Sequence, residues 1–393
     1  MTPAARVQAA IEILDLVIAS AQSDGAPADA IVTAYFKTRR YAGSKDRRAV
    51  RELVFAAIRA VAERPASGRA AMLAVAARDA ELAALFDGSP HGPAPIGDEK
   101  GTAASAETVP GWLISEFSPL VTAAEWPALL ERAPLDLRAN VARTSREALL
   151  RQFEGAAQTP LSPWGVRLPP DQRIDQHPAI LAGEAEVQDE GSQLIALACA
   201  PKDGMRILDL CAGAGGKALA LAAAAPGAQI LATDTNRQRL SRLAPRAERA
   251  GAAIATRLLD GGREAEQLAE LAGRFDVVLV DAPCSGSGTW RRNPEGRWRL
   301  TPERLAKLEG AQERLLDIAA PLVRPGGALV YAVCSLLGRE GAGQIGAFLG
   351  RHSSWLGQDI LPTIGRCDGA GRLLTPAHDH TDGFFVASVK APC

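Results

Sequence analysis

The stretch Asp281-Ala-Pro-Cys-Ser-Gly-Ser-Gly-Thr289 sets an acid, a thiol and a run of Ser and Gly directly behind the apolar segment 275–280. A second thiol, Cys334, closes another apolar run, 328–333. Short Val-rich runs of this kind read as strands buried on both faces of a parallel sheet. The carboxyl ends of such strands are where open α/β sheets bind ligands. Two thiols delivered to that edge point to cysteine chemistry, with one of them as a nucleophile.

A third stretch, Ile207-Leu-Asp-Leu-Cys-Ala-Gly-Ala-Gly-Gly-Lys217, reads as a strand, a glycine-rich turn and a helix start. Glycines there let a ligand approach the backbone, and the free N–H groups of the helix start favour negative charge. Asp234 ends the next predicted strand, where an acid commonly takes a ribose diol. Asp260 follows the third, where it could read an adenine amine or simply cap a turn with Gly261 and Gly262. Gly213, Gly215 and Ala218 also fit the dinucleotide pattern G-x-G-x-x-A, so that reading stays open. Asp209 weighs against it: a carboxylate before the loop suits a cationic amino-acid tail and is poorly placed beside a pyrophosphate. S-adenosylmethionine is therefore the favoured cofactor.

The elements that must position these residues follow from periodicity. Strands are expected at 206–210, 229–233, 253–258, 275–280, 328–333 and 384–389, alternating with helices at 217–225, 236–250, 302–322 and 340–350. That order predicts a mostly parallel, doubly wound α/β sheet in a domain over 181–393. Before it, a strand at 136–141 and a helix at 147–153, capped by Thr144 or Ser145, suggest a small α+β subdomain over 109–180. The first 86 residues read as a helical bundle, with Val7, Ile11, Leu14, Val17 and Ile18 on one helix face and Val50, Leu53, Val54 and Ile58 on another. The Gly-, Pro-, Ala- and Ser-rich stretch 87–108 is taken as a linker.

Composition excludes several classes. The 393 residues carry a formal net charge of -1, so a nucleic-acid surface must be local. Candidates are the basic cluster around Arg47 and Arg48, and Arg291, Arg292, Arg297 and Arg299 interleaved with Trp290 and Trp298, a guanidinium and stacking surface suited to single-stranded RNA. Each has a plain alternative as a solvated basic stretch. The six cysteines form no C-x-x-C pair, so neither a zinc site nor a disulfide framework is expected. His378, His380 and Asp382 are read as a solvated loop and not a metal site. No apolar run nears the ~20 residues that span a bilayer. A reduced, cytoplasmic, monomeric protein is expected.

Together the motifs carry a resemblance. Cys211-Ala-Gly-Ala-Gly-Gly-Lys217, Asp281-Ala-Pro-Cys-Ser-Gly-Ser-Gly288, Arg291-Arg-Asn-Pro294 and Tyr331-Ala-Val-Cys-Ser335 resemble the signature motifs of the RNA 5-methylcytosine methyltransferases. This is the Sun/Fmu/RsmB family, related to the eukaryotic NSUN enzymes. Val187-Gln-Asp-Glu-Gly-Ser-Gln193 resembles the segment before their catalytic core, and Asp382-Gly-Phe-Phe385 the one that closes it. Asp46-Arg-Arg-Ala-Val-Arg-Glu-Leu-Val54 is similar to the NusB-like domain of the bacterial RsmB branch. The chain departs from the pattern at Ala214, where proline is usual, and at Val333, where threonine is usual.

The resemblance implies a Rossmann-like class I methyltransferase domain preceded by a small subdomain and an all-α NusB-like domain. It implies Cys334 as the nucleophile toward C6 of a cytosine and Cys284 as the group assisting release. Asp281 would contact the base and Lys217 would lie close to the reacting centre. The cofactor would sit on Cys211, Ala212, Gly213, Ala214, Gly215, Gly216, Lys217, Asp234, Asp260 and Asp281. A Pro-Cys thiol is the attacking group in DNA cytosine methyltransferases, so Pro283-Cys284 alone suggests the opposite assignment; Tyr331-Ala-Val-Cys-Ser335 decides against it. Within the family the NusB-like domain favours small-subunit ribosomal RNA over tRNA as substrate. A non-catalytic RNA-binding or ribosome-assembly factor on the same scaffold is the rival reading.

Overall fold

The computed structural model describes residues 1–23, 25–97, 108–170 and 172–393. Part of the expected linker, 98–107, lies outside the described residues. The chain divides into two units. One comprises Met1–Glu116, Ala123–Glu131 and Thr289–Pro302; the other comprises Phe117–Thr122, Arg132–Gly288 and Glu303–Cys393.

The first unit is built on α1 (Pro3–Gln22), α2 (Ala28–Lys37), α3 (Ser44–Ala60), α4 (Gly68–Ala76) and α5 (Ala80–Ala84). Thr2 and Ser67 cap α1 and α4 by accepting the amides of Ala5 and Ala70. The apolar stripes expected from spacing are the buried ones: Leu14, Val17, Val50, Val54 and Ile58 share one core, with Leu53 at its edge. Trp298 belongs to the same core, contributed by the segment 289–302.

The second unit begins with a small antiparallel sheet. Its strands are β1 (Leu135–Ala139), β2 (Ala157–Gln158), β3 (Gly165–Leu168) and β4 (Ala185–Val187), in the order β2-β3-β1-β4. Ser145 caps the helix Arg146–Leu150. The main sheet is made of β5 (Arg206–Asp209), β6 (Gln229–Asp234), β7 (Ile254–Leu258), β8 (Phe275–Asp281), β9 (Val323–Val333), β10 (Leu356–Gln358), β11 (Arg366–Asp368), β12 (Gly371–Leu374) and β13 (Phe384–Lys390). Their order is β11-β12-β13-β9-β8-β5-β6-β7, with β10 also paired to β13. The five strands from β7 to β9 are parallel. β13, β12 and β11 run antiparallel and make one side of the sheet a meander.

The chain leaves β5 toward β6 and β7, then returns to β8 on the other side. The switch point therefore falls between β5 and β8, where a crevice opens at the strand ends. The apolar runs that form β5, β8 and β9 are buried at Ile207, Leu208, Val278, Leu279, Val280, Leu329 and Val330. Their carboxyl ends hold the glycine loop, Asp281 and Cys334.

Candidate active site

The segment after β8 is pinned to β9 and to the turn that leaves it. The Ala282 amide donates to the Ala332 carbonyl (2.9 Å) and the Gly288 amide to the Cys334 carbonyl (3.0 Å). Gly288 and Gly383 meet back to back: the Gly383 amide donates to Gly288 O at 2.7 Å, and a Cβ on Gly288 would stand 2.0 Å from Gly383 O. That close approach explains a glycine in both motifs. It brings Cys284 Sγ to 3.4 Å from Cys334 Sγ. Beside them Lys217 Nζ, from the first turn of the helix Gly216–Ala224, donates to Asp281 Oδ2 at 2.6 Å.

The electrostatics separate the members of this group. Burial works against the Lys217 ammonium, but the charge and hydrogen bond of Asp281, with help from Cys334 and Asp209, hold its pKa above the ordinary lysine value. Lys217 thus stays a cation at 9% exposure. The Cys284 thiol is pushed well up by its hydrogen bond with Cys334, by burial and by nearby negative charge. Such surroundings favour the protonated form of Cys284.

The glycine loop wraps the crevice at β5. Gly213 and Gly215 have φ of 55° and 83°, a backbone that side chains disfavour. A Cβ at Gly213 would meet nothing within 4 Å, so the loop's open side is at that residue. Asp234 closes the loop from β6, its carboxylate accepting the amides of Gly213 (2.7 Å) and Asn236 (2.6 Å). Arg246 holds the Ala214 carbonyl at 2.6 Å, fixing the turn where proline is absent. Beneath it Asp209 is 1% exposed, and neither carboxylate oxygen has a hydrogen-bond partner among the described residues. Burial, then the charge of Asp281, raises its pKa to about 7. An orphaned buried carboxylate below an open glycine turn fits a ligand that carries an ammonium group. Cys211 is pushed up by burial and by the surrounding carboxylates, as befits a packing residue and not a reactive one.

Asp260, two residues beyond β7, is exposed and exchanges hydrogen bonds with Gln267. The expected stacking surface does not form: Trp290 and Trp298 are each 1% exposed, and Arg291 and Arg297 are buried. Arg297 donates to the carbonyls of Pro294, Thr108 and Ile58, and Trp298 Nε1 to Val61 O at 3.0 Å. These side chains knit the helical unit together. Arg292 is half-buried. Lys45, Arg47 and Arg48 are exposed on α3, and Arg40 is exposed in the turn before it. The described residues contain no cluster arranged to hold a metal, and no helix long and apolar enough to cross a membrane.

Sequence reasoning missed Glu340. This residue is fully buried and accepts hydrogen bonds from both cysteine loops. A lone glutamate in a polar turn carries no signal of such a role. The motif Val187–Gln193, by contrast, was legible, and it joins the small sheet to the main domain. Glu190 Oε1 accepts the amides of Leu161 and Ser162, and Gln193 donates to Leu137 O and Gln188 O.

Sheet order, switch point and glycine loop together define a Rossmann-like methyltransferase domain. Similarity to known proteins narrows this. Residues 196–390 match the family model described as 16S rRNA methyltransferase RsmB/F. Over 288 residues the chain is 35% identical to "Ribosomal RNA small subunit methyltransferase B" of Salmonella arizonae, a match covering 71% of this chain and 66% of that relative, just under two thirds of its length. Among solved structures, a methyltransferase homologue from Pyrococcus horikoshii aligns at TM-score 0.58 with 25% identity, over 68% of this chain and 89% of that one. The protein PH0851 aligns at TM-score 0.75 with 22% identity over 99% of both chains, which supports the fold. The domain over residues 196–390 belongs to the RsmB/F methyltransferase family.

Proposed function

We propose that this chain is an RNA cytosine-C5 methyltransferase that uses S-adenosylmethionine and acts on small-subunit ribosomal RNA. The observation that carries the reading is the pair of thiols 3.4 Å apart beside Lys217 and Asp281. The relatives' name supplies the substrate class. Asp209, the loop 211–216 and Asp234 would hold the cofactor, with Lys217 and Asp281 at its reacting end and Asp260 toward its adenine. Bound there, it supplies an electrophilic methyl group on a sulfonium.

C5 of cytosine is a poor nucleophile, and the protein's task is to make it a better one. Cys334, as thiolate, adds to C6; the new S–C6 bond displaces the ring double bond and leaves C5 enamine-like. After C5 has taken the methyl group, its proton leaves to a base, the C5–C6 double bond re-forms and the C6–S bond breaks. Cys284 assists this release. Asp281 contacts the polar edge of the base, and Lys217 holds Asp281 in place. Lys45, Arg47 and Arg48 on α3, with Arg40 in the turn before it, offer phosphate contacts, and Arg292 a further one.

The test uses Cys284→Ala with S-adenosylmethionine and RNA from cells lacking the enzyme, run on a denaturing gel. The variant should stall as a covalent protein–RNA adduct that Cys334→Ala abolishes, and sequencing the trapped RNA should return small-subunit ribosomal RNA. Methylation of tRNA alone would sink the substrate assignment. A wild-type chain that binds RNA and methylates none would favour the non-catalytic reading.

A further inference from the structure

The hydrogen bonds of Glu340 converge on the residues that follow the two thiols. Its Oε1 accepts the Ser285 amide (2.8 Å) and Gln312 Nε2 (2.9 Å); its Oε2 accepts the hydroxyls of Ser285 and Ser335. Ser285 directly follows Cys284 and Ser335 directly follows Cys334. Gln312, on the helix Pro302–Ala319, also donates to the Pro283 carbonyl at 2.9 Å, just before Cys284. The peptide groups on both sides of Cys284, and the residue after Cys334, are thus tied to one carboxylate. Ser287 extends the tie: its hydroxyl lies 3.1 Å from that of Ser335 and accepts the Leu336 amide at 2.9 Å. The backbone of Glu340 is held in turn, its carbonyl accepting the Tyr331 hydroxyl at 2.7 Å.

Two of the groups that reach Glu340, the Ser285 amide and Gln312 Nε2, can only donate, and the two hydroxyls donate to its other oxygen, so an ionised carboxylate satisfies all four bonds as they stand. A glutamine of the same shape would turn an N–H either toward the Ser285 amide and Gln312, which cannot accept it, or toward the two hydroxyls, which would have to give up their present bonds to do so.

We infer that Glu340 is a positioning residue that fixes the distance between the Cys284 and Cys334 sulfurs for the addition and release steps. This rests on the function proposed above for the two thiols. Small displacements of reacting groups cost about 100-fold in rate, and a network that grips both loops is suited to prevent them.

Glu340→Gln keeps volume and removes only the acceptor. Three measurements on the full chain decide: S-adenosylmethionine affinity by calorimetry, kcat and KM on the ribosomal RNA substrate, and the rate at which diamide cross-links Cys284 to Cys334, read by mass spectrometry. The expected result is cofactor affinity within about threefold of wild type, kcat lower by about 100-fold with a smaller change in KM, and slower cross-linking. Wild-type kcat, or a loss of cofactor affinity as large as the loss of kcat, would overturn the inference. If Glu340→Gln does not fold, Ser335→Ala removes one donor and should lower kcat by about tenfold; unchanged kcat there would overturn it too. If the wild type methylates no RNA, the functional reading has failed, and the cross-linking comparison alone decides: equal rates in variant and wild type refute positioning.

Discussion

Burial holds the carboxyl of Asp209 at a pKa of about 7, against an ordinary value of 3.8. Between those values the folded chain binds a proton that the unfolded chain has lost. The contribution of Asp209 to stability therefore falls as pH rises from about 4 to about 7, by about 4 kcal/mol across the window. A cationic ligand reverses this by favouring the ionised form. S-adenosylmethionine should then bind more weakly as pH falls below about 7, by up to tenfold per unit. Asp209→Asn should bind it weakly at every pH, with that dependence removed, and should flatten the pH profile of the melting temperature. Calorimetric titrations between about pH 5.5 and 7 check both; a wild-type affinity constant across that range would show that Asp209 does not meet the ligand's charge.

At the scale of elements, the main sheet was legible because parallel strands buried on both faces leave continuous apolar runs. The runs at 206–210 and 275–280 became β5 and β8 almost residue for residue. The antiparallel side was less so: β10, β11 and β12 are three or four residues long, too short for a pattern to stand out. Thiols, acid and lysine were read because their motif fixes their order along the chain. Glu340 was not, because its partners come from three separate segments. The segment 289–302 was misread for a related reason. Arginine and tryptophan in alternation look like a surface for RNA, but guanidinium and indole N–H groups also satisfy buried carbonyls. Arg297→Ala should accordingly lower stability by about 3 kcal/mol, since it strips charged donors from buried acceptors. Arg40→Ala and Lys45→Ala, on the exposed face, should leave melting unchanged and weaken RNA binding with a shallower salt dependence. Chemical denaturation beside filter binding at several salt concentrations separates the two behaviours. If Arg297→Ala weakened RNA binding without touching stability, its assignment to the helical core would be wrong.

For the whole molecule, the decisive fact is that residues 289–302 lie within the methyltransferase domain in sequence and within the helical unit in space. A boundary in the stretch 87–108, natural from composition, would cut the chain without separating the units. Removing the first 116 residues would leave Trp298 without the helices that form its core and its Nε1 without the Val61 carbonyl. It would also leave the Arg297 guanidinium without the Ile58 and Thr108 carbonyls. An aromatic side chain of this kind buries about 200 Å², which at ~25 cal/mol per Å² is about 5 kcal/mol of lost burial for Trp298 alone. The truncated chain should therefore show red-shifted tryptophan emission and rapid proteolysis confined to 289–302, while the sheet that carries the cofactor loop stays folded and still binds S-adenosylmethionine. Limited proteolysis with mass mapping, beside a cofactor titration, checks both halves. A truncated chain that resists cleavage in that segment would show that 289–302 packs without the helices.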